Sequence, residues 1–258
     1  MEAAVHLEVH QFACLSDNYG FLLHDPVSDE TACIDTPDAA AYLREAAKKG
    51  WQITQIWNTH WHPDHAGGNA AIKAVTHCKV TAPAAEADKI SGIDRTVKHG
   101  DIVTLGAYEA CVIDVGGHTM GHIAYHLPAS GLAFVGDAVF ALGCGRMFEG
   151  TAPQFWASLQ RLKALPPQTM LYCAHEYTEA NARFAVHADP ENEALQDYAE
   201  HIAKARAANQ PTVPMALARE LATNPFLRAD DAGLQARWGG GGDAVATFAA
   251  LREAKNSF

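Results

Sequence analysis

His60, His62, Asp64 and His65 place four side chains able to bind a divalent metal within six residues, directly after the apolar Ile56-Trp57 and just before Gly67-Gly68. Imidazole and carboxylate are the usual nitrogen and oxygen donors for zinc and its neighbours. Three histidines and one aspartate exceed what one open catalytic site can use, so two metals are suggested. Chance clustering explains this poorly: with 14 His among 258 residues, three specified positions are all His with a probability on the order of 10⁻⁴. Pro63 fixes the local backbone and biases His62 to an extended conformation, which reads as a shaped loop rather than a helix. That excludes the helical His-Glu-x-x-His arrangement, in which two ligands sit one turn apart.

Three further segments end a strand-like run with a ligand-type residue: Val115-Gly116-Gly117-His118, Phe134-Val135-Gly136-Asp137 and Tyr172-Cys173-Ala174-His175. Sites in α/β sheets gather beyond the carboxyl ends of strands, so these ends and the His60 loop can converge without being close in sequence. Any one of these residues alone reads as a solvated loop group; the repetition argues for a site. His122, four residues after His118, reads as a loop histidine, with a donor that supports a metal ligand as the other reading, and the other histidines read as non-functional. There is no Gly-x-Ser-x-Gly elbow, so a serine nucleophile has no support.

The elements that must position these residues follow from periodicity and punctuation. Strands are expected over 5–12 and 19–24 around the turn-prone Ser16-Asp17-Asn18, and over 31–35 and 53–58. The helix expected over 39–49 closes at Gly50 with Lys48 and Lys49 in its last turn. A helix from Asn69 to about Val75 and a strand over 79–82 follow. Short β-rich runs at 101–105, 109–115, 123–127 and 132–135 precede a helix over 152–165, which stops at Pro166-Pro167, and a strand over 169–173. From Thr178 the strand signal disappears. Helices are expected over 191–209 and 243–255, separated by Pro211, Pro214 and the loop of Gly239 to Gly242. The chain therefore reads as an α/β body, residues 1–177, followed by a small helical domain, residues 178–258.

A net charge of −11 and the lack of any dense Lys/Arg run exclude a nucleic-acid partner. The six cysteines are scattered with no Cys-x-x-Cys pair and read as reduced, buried thiols. Neither a signal segment nor an apolar run of membrane-spanning length is visible, so a cytoplasmic protein without a membrane partner is expected.

The run Thr59-His60-Trp61-His62-Pro63-Asp64-His65 resembles the His-x-His-x-Asp-His signature of the metallo-β-lactamase fold superfamily. The resemblance implies a metallo-β-lactamase-like αββα sandwich. It assigns His60, His62 and His118 to one metal, Asp64, His65 and His175 to a second, and Asp137 to both, with a metal-bridging hydroxide as nucleophile. Asp35 matches an acidic position that braces the histidine loop; a plain turn or helix-start aspartate is the other reading of it.

Over essentially the whole chain the resemblance narrows to the hydroxyacylglutathione hydrolases, the glyoxalase II family. It is carried by Gly136-Asp137 through Gly143-Cys144-Gly145-Arg146-Met147-Phe148-Glu149-Gly150, by Cys173 to Thr178, by Asn224 to Arg228 and by Leu251 to Lys255. It implies hydrolysis of S-D-lactoylglutathione to glutathione and D-lactate, the second step of methylglyoxal detoxification, by a monomer. Two divalent ions are implied, zinc first, with iron or manganese as alternatives. Arg252 and Lys255 would hold the glycine carboxylate of the glutathione moiety, and Arg146 and Tyr177 would contact its peptide backbone. This chain departs from the family in having Arg146 for a common Lys and Phe148 for a common Tyr. The rival is a mononuclear iron persulfide dioxygenase acting on glutathione persulfide, which shares the histidine loop; Arg252 and Lys255 favour the hydrolase.

Overall fold

The computed structural model describes residues 6–239 and 241–258; Val5, at the start of the first expected strand, and Gly240, in the glycine loop, lie outside the described residues. The chain forms two compact units, Met1–Asp114 with Gly121–Gly136, and Val115–Met120 with Asp137–Phe258.

The first unit contains β1 (Glu8–Cys14), β2 (Asn18–Asp25), β3 (Glu30–Ile34), α1 (Ala39–Lys49), β4 (Ile53–Trp57), α2 (Pro63–Ala66), α3 (Asn69–Thr76), β5 (Lys79–Pro83), β6 (Arg95–Val97), β7 (Ile102–Leu105), β8 (Tyr108–Asp114), β9 (Ile123–Leu127) and β10 (Leu132–Gly136). One sheet runs β1 to β6 in chain order, antiparallel through β3 and parallel from β3 onward. In the other, β7, β8, β9 and β10 pair antiparallel in sequence. Strands β8 and β10 thus run in the same direction on either side of β9, and their carboxyl ends lead towards His118 and Asp137.

The two sheets of this unit meet through large apolar side chains. Phe21 lies 5.5 Å from Phe134 and Trp57 lies 5.4 Å from Tyr125, centroid to centroid. Helices α1 and α3 cover the outer face of the first sheet, where Tyr42, Ala46 and Ile72 pack with Leu22, Cys33, Ile56 and Val80. Asp38 caps α1 by accepting from the Ala40 and Ala41 amides, and Gly50 closes it at φ 74°, the left-handed conformation that glycine adopts without steric cost. The Tyr42 hydroxyl accepts from the Phe21 amide at 3.0 Å and donates to the Ile34 carbonyl at 2.9 Å, bridging β2 and β3 where their ladder ends.

One expectation is corrected in the histidine loop. Residues 60–62 carry no regular secondary structure, His62 standing at φ −56° and ψ 146°, but Pro63 opens the short helix α2 at its first position. A proline there forfeits no hydrogen bond and carries a helical φ. Asp64 and His65 therefore sit on a helical turn, which the reading of Pro63 as a loop-former overlooked. Strand β6 was not visible in the sequence because it is only Arg95–Val97.

The second unit contains β11 (Val139–Phe140), β12 (Gly143–Cys144), α4 (Ala152–Lys163), β13 (Met170–Cys173), α5 (Thr178–Ala188), α6 (Glu193–Ala207), β14 (Met215–Ala216), α7 (Leu217–Thr223), α8 (Ala232–Trp238) and α9 (Ala244–Ser257). Strand β14 pairs antiparallel with β13, so the strand signal does not end at Thr178 as expected; two residues beyond Pro214 are too few to show alternation. Phe155, Phe184, Phe226 and Phe248 interlock as the aromatic core of α4, α5 and α9. Asp243 caps α9 by accepting from Val245 and Ala246. Among the described residues no helix is long and apolar enough to cross a membrane. All six cysteines are free thiols, Cys111 half-buried and the other five buried.

The hairpin β11–β12 is held from behind by a buried polar group. Glu220 Oε2 accepts from the Leu142 amide at 2.8 Å and from Asn224 Nδ2 at 3.0 Å, while the same Asn224 amide reaches the Phe140 and Gly143 carbonyls. Burial pushes the Glu220 carboxyl up to about 7, the bonds from Leu142, Asn224 and Tyr198 offsetting only part of the desolvation.

Two predictions follow from these ties. Tyr42→Phe leaves the Phe21 amide and the Ile34 carbonyl buried without the bridging hydroxyl and should cost about 1–3 kcal/mol, read as a lower urea midpoint at unchanged slope. Glu220 holds its proton more tightly folded than unfolded, so the stability tied to it is complete below its ordinary value of 4.5 and is lost as pH rises towards 7. Relative to Glu220→Gln, the parent should lose roughly 3 kcal/mol across that window, measured by urea unfolding at several pH values.

Candidate active site

The first unit gathers Asp35, His60, His62, Asp64 and His65. Asp35 ends β3 at φ 55°, a conformation that aspartate tolerates better than most residues. Its carboxylate is buried; Oδ1 accepts from the Thr59 amide at 2.7 Å, and Oδ2 accepts from the Thr59 hydroxyl and meets His65 Nδ1, both at 2.8 Å. The His65 backbone is fixed too, its carbonyl accepting from the Thr36 amide at 2.6 Å and from Asn58 Nδ2 at 3.1 Å. Asn58 is in turn tied to Asn69, and Asn69 to Thr36. Asn18 Nδ2 reaches both the carbonyl and the carboxylate of Asp64 at 3.3 Å.

His60 Nε2 and His62 Nδ1 approach to 3.0 Å, and Thr59 Oγ1 lies 3.0 Å from His60 Nδ1. Two nitrogens on one tetrahedral zinc stand roughly 3.3 Å apart, given metal–nitrogen distances near 2.0–2.1 Å. Asp35, His60 and His65 also present ligand atoms within 4.8 Å of one another. Nδ1 of His65 faces Asp35 and Nδ1 of His60 faces Thr59, so the Nε2 side of each ring is turned away from those two groups.

The second unit gathers His118, Asp137 and His175. Asp137 Oδ2 lies 3.4 Å from His118 Nε2, and Oδ1 lies 3.4 Å from His175 Nε2. One carboxylate thus turns a different oxygen towards each imidazole. His118 Nδ1 meets the Arg146 carbonyl at 2.9 Å, which fixes the ring with Nε2 towards Asp137. The His175 ring stacks on Tyr177 with centroids 4.7 Å apart. In each unit the donors are imidazole and carboxylate at spacings suited to a common divalent cation, and the residues fit such ions.

His118 and Asp137 line a cavity of about 430 Å³ whose walls include Arg146, Phe148, Tyr177 and Lys255. Phe148 is 63% exposed at this cavity and packs edge-on against the His118 ring, 5.2 Å between centroids. Lys255 donates to the Ala180 carbonyl at 3.2 Å, and burial, then the nearby Arg252, Arg183 and Arg146, push its ammonium below the ordinary lysine range. Arg252 also lines the cavity but is only 3% exposed. Its guanidinium donates to the Cys144 carbonyl at 2.8 Å and lies over Phe226, so most of this side chain shapes the wall. Burial raises the Cys144 thiol above its ordinary range, Arg252 only partly opposing this.

Sequence reading missed several residues that build the site. His122, for which a loop position was preferred over a supporting role beside a metal ligand, is fully buried and stacked on His60, centroids 4.5 Å apart. Gly136, just before Asp137, has φ 49°, and a Cβ there would stand 2.7 Å from Thr59 Oγ1 and 2.8 Å from the His122 ring; only glycine fits that approach. Glu86, Asn18, Asn58 and Asn69 carried no motif at all. Asn58, beside the histidine run, offered a weak signal, since a buried asparagine at a strand end must find partners.

Residues 22–175 match the model of the metallo-β-lactamase superfamily, and residues 176–258 match the hydroxyacylglutathione hydrolase C-terminus. A hydroxyacylglutathione hydrolase of Erythrobacter litoralis is 69% identical over 253 residues, covering 98% of this chain and 100% of that protein. Another, from Hyphomonas neptunium, is 61% identical over 99% of this chain and 100% of its own length. Among solved structures, ETHE1 from Myxococcus xanthus superposes with a TM-score of 0.72 at 24% identity, covering 96% of this chain and 91% of that one; that likeness shows a shared fold. With α/β sheets bearing the His-rich loop, a helical region after Thr178 and these relatives along nearly its full length, the chain belongs to the hydroxyacylglutathione hydrolase family of the metallo-β-lactamase fold.

Proposed function

We propose that the protein hydrolyses S-D-lactoylglutathione, or a close 2-hydroxyacylglutathione, to glutathione and the free hydroxy acid. The observation that carries this reading is the cavity in which His118 and Asp137 share walls with the cationic side chains of Arg146 and Lys255. A glutathione thioester is an anionic peptide joined to a reactive acyl group, and such a cavity complements both parts. The names of the relatives support the same substrate class.

In this reading His60, His62 and His118 would hold one divalent ion, Asp64, His65 and His175 would hold a second, and Asp137 would serve both. Ions held there would polarise the thioester carbonyl and acidify a water towards hydroxide at neutral pH. The protein's own share is orientation. Asp35 and the Arg146 carbonyl set which nitrogen of His65 and of His118 faces the centre. Asp137 offers one oxygen to each side, and its negative charge offsets that of the paired cations.

Arg252 and Lys255 hold the terminal carboxylate of the glutathione moiety, with Arg146 and Tyr177 along its peptide. Lys255 is half-buried, and among the described residues its Nζ donates one hydrogen bond, to the Ala180 carbonyl, and lies over the Phe184 and Phe258 rings, so donors remain for a carboxylate. Phe148 contributes apolar contact beside His118 and no hydroxyl. Zinc suits the nitrogen and oxygen donors best, with iron and manganese as the other candidates. We place the catalytic domain at 1–177 and the glutathione-binding domain at 178–258, in a cytoplasmic monomer. Six free thiols suit a reducing compartment.

The initial rate of thioester loss should be measured on protein whose metal content is determined on the same sample. Fast hydrolysis with about two ions per chain is expected; a fully metallated sample that leaves the thioester intact but consumes oxygen with glutathione persulfide would overturn the reading. Asp137→Ala should lose metal and activity together. Lys255→Ala should raise KM about tenfold with kcat nearly unchanged, as befits a charged hydrogen bond made equally to substrate and transition state.

A further inference from the structure

We propose that Glu86 is a positioning residue for the metal ligands, holding the His60-Trp61-His62 segment and the segment leading into His122 at one fixed separation through its two carboxylate oxygens. Glu86 ends the single turn that follows β5 and is 1% exposed. Oε2 accepts from the Trp61 amide at 2.8 Å, between His60 and His62 in the chain. Oε1 accepts from the Gly121 amide at 2.9 Å, one residue before His122, and the His122 ring stacks on His60.

The site is built for this contact. A Cβ at Gly121 would stand 2.6 Å from Glu86 Cγ and 2.8 Å from Ala85 Cβ, so a side chain there would push the carboxylate away. The Trp61 amide that meets Glu86 lies in the same three-residue run whose His60 and His62 ring nitrogens come within 3.0 Å of each other, so the bond holds the backbone between the two rings. Lys89, whose amide donates to the Glu86 carbonyl, lays its ammonium over the Trp61 indole at 4.8 Å and clamps the same segment from outside. A carboxylate buried at this depth is costly unless its oxygens are bonded. Two backbone amides from separate loops satisfy it, and the loops are thereby tied to each other.

This inference rests on the metal-binding part of the proposed function and not on the substrate. Glu86→Gln keeps the size but turns an NH₂ group towards one of the two amides, so one bond becomes a donor–donor clash. Zinc affinity, measured on the full chain by competition with a chelator, should fall about 10–100-fold. The visible absorption of the cobalt(II)-loaded protein should change in position or intensity. In hydrolysis kcat should drop while KM stays within about twofold, because Arg146, Tyr177 and Lys255 are untouched. Glu86→Asp, a methylene shorter, reaches only one amide and should lose part of the affinity; it is the variant to read where Glu86→Gln does not fold. Affinity and cobalt spectrum identical to the parent in either folded variant would overturn the role of Glu86. A parent that binds neither zinc nor cobalt would overturn the metal reading and this inference with it.

Discussion

The buried carboxylate of Asp35 is the constraint on which the first unit's histidine loop depends. It spends both oxygens on the segment from Thr59 to His65, and to do so its backbone turns into the left-handed region at the end of β3. The strain, of order 1 kcal/mol or more, is repaid because one side chain sets both the start of the histidine loop and the exposed nitrogen of His65. The parallel pairing of β3 with β4 makes this possible, since their ends then lie side by side. The topology of the first sheet is thus expressed directly in the orientation of one imidazole.

The second unit meets the same requirement with backbone. His118 is oriented by the Arg146 carbonyl and His175 by stacking on Tyr177. Neither device adds charge close to Asp137, which already brings a carboxylate into a largely buried place. A further anion there would raise the cost of desolvation; a carbonyl dipole and an aromatic face fix geometry at lower cost.

Most of the framework was legible because it rests on local signals. The limits of α1 follow from Asp38 and Gly50, the strand β9 from a short β-rich run that ends at Pro128, and the donors from residue types that are rare at such density. What was not legible depends on contacts between distant parts of the chain. Glu86 reaches 25 and 35 positions to its two amides, and Glu220 reaches 78 positions to Leu142. Nothing in the neighbouring residues of either glutamate signals burial, and both would pass for surface charges. Strand β14 and helix α2 escaped for another reason: at two and four residues they are shorter than any periodicity.

Arg252 shows how position three apart on a helix underdetermines a role. The spacing places it on one face with Lys255, as two cations for a carboxylate, yet the guanidinium is already engaged by the Cys144 carbonyl. It therefore fixes β12 before any ligand arrives, and β12 leads into Gly145 and Arg146. The Arg146 carbonyl is the group that orients His118, and the Arg146 side chain lines the cavity. A substrate that pulls on Arg146 or Arg252 consequently acts on the segment that aims His118 at Asp137. In the proposed function, binding of the glutathione moiety and the geometry of the metal ligands are joined through four consecutive residues, Gly143 to Arg146. Binding energy from the non-reacting part of the substrate then has a physical route to the reacting centre.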